Sequence, residues 1–186
     1  MNRRARLAVF AAALTLNVPG PVQAAQDLWS WLFSFKRTKE IEAVSDAKYN
    51  TECGSCHFAY QPGWLPERSW RKLMTAEALA DHFGQNAELD EAERKQLLNV
   101  LVTHAADSSY YKRSRKIMST LAENETPLRI TEVAYIQVKH NSIPKDIFKN
   151  DRIKGPAFCD KCHTGASKGN FDDDGVVIPG RGTWTW

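Results

Sequence analysis

The chain has 186 residues, with 25 Lys and Arg against 22 Asp and Glu, and 42% of its residues are hydrophobic. The small basic excess sits at the N-terminus, where residues 1–24 hold three of the cations (Arg3, Arg4 and Arg6) and no acid, leaving 22 of each sign beyond them. Charge therefore gives no reason to expect a nucleic-acid partner, and after Ala25 no apolar run reaches the roughly 20 residues of a membrane helix.

The first 24 residues read as an address. A basic stretch (Asn2 to Arg6) precedes a short apolar core (Leu7 to Leu16), and Pro21-Val22-Gln23-Ala24 ends in a small-residue cleavage pattern. A signal peptide cleaved near Ala24 and export to the periplasm are expected; a retained anchor is the competing reading. Residues 27–35 (DLWSWLFSF) suit a short helix laid over the core, or a segment attached to a membrane surface.

Residues 61–66 (QPGWLP) read as a loop. Thr75 is placed to cap a short helix that Gly84 ends, and Asp90 with Glu93 resembles a capping box opening a helix with Leu97, Leu98, Leu101 and Val102. Residues 110–121 suggest a third helix, and 131–140 a fourth that stops before Pro144. The tail is rich in Gly and Asp and lacks periodicity. The expectation is an all-α, loop-rich fold in two lobes, 25–124 and 125–186, joined near 124–127.

All four cysteines fall in Cys-x-x-Cys pairs, each followed at once by His: Cys53-Gly54-Ser55-Cys56-His57 and Cys159-Asp160-Lys161-Cys162-His163. With four Cys and five His, chance gives one such string in about 600 sequences of this kind. The string is the attachment signature of a c-type haem, whose vinyl groups form thioethers with the two sulfurs while the His takes one axial position on iron. Each half of the chain would then form a haem-binding lobe. Two haems bring about four propionates, which make the mature molecule mildly acidic, and their apolar faces fill part of an interior that this loop-rich chain fills poorly. A four-cysteine zinc site, a thioredoxin-like pair and two disulfides are the competing readings.

His82, His104 and His140 are the histidines left for the second axial position, with Met74 and Met118 the only methionines after the leader. His82 shares a helical face with Ala78 and Leu79, His140 with Val133 and Ile136, and His104 with Val100 and Leu101. Periodicity does not choose among the three.

Beyond the two motifs, Met74 with Ala80-Asp81-His82-Phe83-Gly84, Ala105-Ala106-Asp107, Arg129-Ile130-Thr131-Glu132, Lys139-His140-Asn141-Ser142-Ile143-Pro144, Gly169-Asn170-Phe171-Asp172 and Ile178-Pro179 together resemble the small dihaem cytochromes c of proteobacterial periplasms. The resemblance spans most of the chain after the leader. It implies bis-histidine, low-spin, low-potential haems, with His57 paired to His82 and His163 to His140. It also implies electron donation to an oxygen-binding monohaem cytochrome c and a link to membrane b-type cytochromes, with membrane contact transient at most. Histidine at His104 lies outside that pattern.

Electron transfer between redox partners is thus the leading function. A peroxidase-like dihaem enzyme, which needs an open iron and acid–base groups beside it, and a haem sensor or membrane oxidoreductase subunit are the alternatives. Asp172-Asp173-Asp174-Gly175 lacks the spaced ligands of a calcium loop and is expected to be a turn.

Overall fold

Six short helices carry the fold in the computed structural model, which describes residues 40–184. The leader, the 27–35 segment and the last two residues lie outside that range. The helices are α1 (Ala47–Glu52), α2 (Glu67–Leu73), α3 (Ala76–Ala80), α4 (Glu91–Thr103), α5 (Lys112–Met118) and α6 (Ala134–His140). Three begin with a side-chain cap: Asp46 accepts from the Tyr49 N–H at 2.7 Å, Thr75 from Ala78 at 3.2 Å and Asp90 from Glu93 at 2.9 Å. Each cap satisfies an amide that the first helical turn leaves without a partner.

The local sequence explains where these helices differ from expectation. Helix α2 was not expected, because seven residues give too little periodicity; Pro66 precedes it, Glu67 opens it and Arg71 and Lys72 close it, which suits the helix dipole. The 110–121 and 131–140 expectations shorten to α5 and α6, the latter preceded by a 3-10 turn at Ile130–Glu132. The QPGWLP segment, expected as a loop, forms a buried 3-10 turn at Pro62–Trp64. Trp70 Nε1 donates to Pro62 O at 2.8 Å beneath it, and a Cβ on Gly63 would stand 2.6 Å from Ser114 Oγ, so glycine lets α5 close on this turn.

The main core runs from Ile41 to Phe171 and holds Trp64, Leu65, Trp70, Leu97, Leu101 and Ile117. Helix α4 inserts Leu97 and Leu101 against α2, each such leucine contributing roughly 1.5–3 kcal/mol by leaving water. A smaller core gathers Ile147, Ile153, Val176 and Ile178, with Ile143, Cys162 and Trp184 packed on it. Its edge is the one short sheet among the described residues, β1 (Val177–Ile178) antiparallel to β2 (Gly182–Thr183), with Val177 opposite Thr183. The fold is therefore mostly helical, as expected, with this hairpin added. No helix among the described residues is long and apolar enough to cross a membrane.

Candidate functional site

The first motif starts where α1 ends. Cys53 is the C-cap of the helix, its N–H donating to Tyr49 O at 3.0 Å, and a Cβ on Gly54 would collide with the Asn50 carbonyl oxygen. Glycine thus lets the chain turn tightly between the two sulfurs. His57 follows, and its Nδ1–H donates to the Phe58 carbonyl at 2.7 Å, which orients the ring and leaves Nε2 free for a metal. The Tyr60 ring stacks on His57 with centroids 4.8 Å apart, and its hydroxyl donates to Ala157 O at 2.6 Å, just ahead of the second motif.

His82 faces His57 with ring centroids 6.4 Å apart and planes 23° from parallel. It does not sit on a helix as its spacing from Ala78 suggested: α3 ends at Ala80, and His82 and Gln85 bracket a two-residue turn. The His82 N–H donates to Gln85 O at 2.7 Å and the Gln85 N–H returns to His82 O at 3.2 Å. Phe83 and Gly84 both have positive φ, +56° and +91°, the backbone of a type I′ turn. Glycine adopts it freely, whereas Phe83 carries roughly 1–2 kcal/mol of left-handed strain. The Arg129 guanidinium lies 3.8 Å from the Phe83 ring centre and holds the turn from above.

The second motif is a 3-10 turn at Cys159–Lys161, with the His163 N–H donating to Cys159 O at 2.8 Å. Cys159 packs on the main core and Cys162 on the smaller one, so this motif bridges the two. The C-terminal hairpin closes over it, Val177 N–H donating to Cys162 O at 3.0 Å. His140, the last residue of α6, faces His163 with centroids 6.1 Å apart and planes 75° apart. Its Nδ1–H donates to Ile136 O at 2.8 Å. Both rings look into an apolar cavity walled by Trp64, Ile136, Ile147, Phe158, Phe171 and Ile178. Arg113, Lys139 and Asp173 supply the charge at its rim.

His104 is the C-cap of α4, its Nδ1 3.2 Å from Glu42 Oε2, and its ring faces neither motif histidine in the way His82 does. The Asp172 to Gly175 run forms a 3-10 turn in which Asp173 pairs with Lys139 at 2.7 Å.

The donor set fits haem. An axial bond of about 2 Å on each side, with roughly 1 Å from ring nitrogen to ring centre, sets two ligating imidazoles about 6 Å apart, close to both observed pairs. Among the described residues no three His, Cys, Asp or Glu side chains converge; the imidazoles meet in twos, with a gap between. Burial lowers the pKa of His82, helped by His57 and Arg129, and lowers that of His163 to about 4, helped by His140 and Arg113. Neutral imidazole is the ligating form. His82 Nδ1 and His163 Nδ1 have no hydrogen-bond partner among the described residues, so neither ring is tied from its far side as His57 and His140 are. No disulfide links the four cysteines, and before attachment burial pushes the Cys53 thiol up to about 11 and Cys159 to about 12. Such thiols are poor thiolate ligands and poor redox nucleophiles.

The comparisons agree with this geometry. The family described as dihaem cytochrome c matches residues 49–171. A diheme cytochrome c from Shewanella baltica OS155 is 36% identical, superposes with a TM-score of 0.60, and covers 75% of this chain and 97% of its own. The diheme cytochrome c of Rhodobacter sphaeroides is 39% identical with a TM-score of 0.61, covering 71% of this chain and 99% of its own. No curated protein matches. With both attachment motifs and both imidazole pairs inside the matched span, the chain belongs to the dihaem cytochrome c family and carries two covalently bound haem c groups.

Proposed function

We propose that the protein is a periplasmic electron carrier with two bis-histidine, low-spin haems, rather than an enzyme or a sensor. When bound, each haem supplies a one-electron ferric–ferrous couple. Cys53 and Cys56 would hold the first haem, with His57 and His82 as its ligands; Cys159 and Cys162 would hold the second, with His163 and His140. The observation that carries the reading is the double occurrence of facing imidazoles at about 6 Å, 6.4 Å and 6.1 Å between ring centres, because an iron closed on both faces passes electrons without bond chemistry. Phe58 O and Ile136 O orient one imidazole of each pair, and the apolar cavity keeps water from the second. Export of the chain after cleavage near Ala24 places it beside periplasmic redox partners. An oxygen-binding monohaem cytochrome c as acceptor and a membrane b-type cytochrome are the partners proposed, docking weakly and briefly as redox complexes do.

Low-temperature EPR of the oxidised protein tests this. Imidazole planes that nearly coincide reinforce the splitting of the iron d orbitals, whereas crossed planes cancel it, so 23° and 75° predict two distinct low-spin signals. His82→Ala should abolish the first signal and His140→Ala the second, while His104→Ala should leave both. A high-spin signal in the unmutated protein, or loss of a signal with His104→Ala, would sink the reading.

A further inference from the structure

The four imidazoles are not held equally. His57 and His140 each donate Nδ1–H to a backbone carbonyl, Phe58 O and Ile136 O. A second hydrogen bond of this kind fixes a ligating ring and makes it a better donor. His163 Nδ1 has no such partner among the described residues, but His163 directly follows a haem-bonded cysteine and rests on the Phe171 ring at 5.2 Å. His82 Nδ1 also lacks a partner among the described residues, and no attachment cysteine adjoins His82. It stands at the mouth of a two-residue turn beyond the end of α3, with the left-handed Phe83 next to it. Phe83 is 44% exposed, one of the few large apolar side chains turned to water. His140, by contrast, sits within the last turn of α6.

Resting on the bis-histidine reading, we infer that His82 is the exchangeable ligand, and that the first haem site, not the second, opens to a small exogenous donor of the cyanide or carbon monoxide class. Swinging the 82–85 turn outward breaks no helix and gives up the Arg129 contact on Phe83, but no residue of the turn belongs to either core. Moving His140 would unwind the last turn of α6 beside the apolar cavity. In the exchange His82 leaves as neutral imidazole with its lone pair, the incoming donor contributes the replacing pair, and no electron is gained or lost.

The test is a titration of the oxidised holoprotein with potassium cyanide at fixed pH, followed by EPR. The signals are assigned through His82→Ala and His140→Ala or, should either variant fail to mature, by the shapes that the two ring-plane angles dictate. The expected result is loss of the first-site signal at a cyanide concentration at least tenfold below that needed for the second. Earlier loss of the second-site signal, simultaneous loss, or no loss of either would overturn the inference while leaving two closed bis-histidine haems intact. A high-spin signal before any cyanide is added would instead overturn the bis-histidine reading, and this inference with it.

Discussion

The two haem sites share one motif and one donor set, yet the chain builds them differently. The first is assembled from local pieces at the surface: a helix end, a short turn and two aromatic rings, with Arg129 laid over the turn. The second is assembled from distant ones, with α6, the 3-10 turn of the motif, the C-terminal hairpin and Trp64 meeting around a cavity between two cores. A five-residue motif therefore dictates attachment but not how tightly the rest of the site is held. Packing dictates that.

The largest test of this contrast is loss of either attachment. Cys53→Ala with Cys56→Ala should yield a folded single-haem protein, because Leu97, Leu101 and Ile117 pack without the first haem. Cys159→Ala with Cys162→Ala should fail to accumulate or melt tens of degrees lower, since the smaller core has four buried residues and one wall of it is the cofactor's cavity. Haem-to-protein ratio and thermal unfolding followed by circular dichroism read both outcomes. Equal losses in the two variants would dissolve the distinction.

Next in size is Phe171→Ala. Phe171 is 5% exposed, meets Trp64 edge-on at 4.7 Å and supports His163 at 5.2 Å. Truncation of a buried phenylalanine costs about 3–5 kcal/mol, so the urea midpoint should fall steeply and the second-site EPR signal broaden. Tyr60→Ala, on the half-exposed wall of the first site, should cost less and disturb only the first signal.

These differences explain what the sequence disclosed. Attachment chemistry is encoded in contiguous residues, so Cys53, Cys56, His57, Cys159, Cys162 and His163 are legible without a structure. Helices with side-chain caps are legible too: Thr75 and Asp90 mark starts that the structure reproduces to the residue. The facing of His82 toward His57 is a tertiary fact, invisible to periodicity, and the helical face first drawn for His82 gives way to a turn that Phe83-Gly84 forms. Helix α2 and the burial of QPGWLP escape periodicity for a related reason: the two hold each other through Trp70 and Pro62, with Ser114 and Ile41 packed on Gly63 from elsewhere. The charged rim of the second cavity was missed altogether, since Glu40, Arg113, Lys139 and Asp173 come together from well-separated segments.

That rim gives the next prediction. The Arg113 side chain is 11% exposed, with Nε 3.5 Å from Glu40 and Nη2 3.9 Å from Asp173, and it also donates to Phe171 O at 2.6 Å. Arg113→Gln removes a cation beside the second haem and leaves Glu40 without it, while Asp173 keeps Lys139 at 2.7 Å; the lost positive charge favours the ferric state and lowers that potential. A unit charge about 10 Å away at an effective dielectric of about 20 contributes roughly 1.7 kcal/mol, and a tenfold shift of a one-electron equilibrium is about 59 mV, so a fall of about 70 mV is expected. Potentiometric titration should show the first haem unmoved and Arg113→Lys partly restoring the second. A fall shared by both haems would mean that the rim charge is not local to its site.

The smallest effect should come from the cap of α3. Thr75 Oγ accepts from the Ala78 N–H at 3.2 Å and starts the five-residue helix that delivers the His82 turn; helix α6, which delivers His140, has no side-chain cap. Thr75→Ala should cost about 1 kcal/mol, a shift of a few degrees in the melt. Its informative readout is site-specific. Because α3 is the one short helix leading into the turn, its fraying should let cyanide reach the first haem at a lower concentration than in the unmutated protein, with the second-site signal untouched. If stability falls and the first site responds no more than the second, His82 is held by the packing of its turn against Arg129 rather than by the helix behind it.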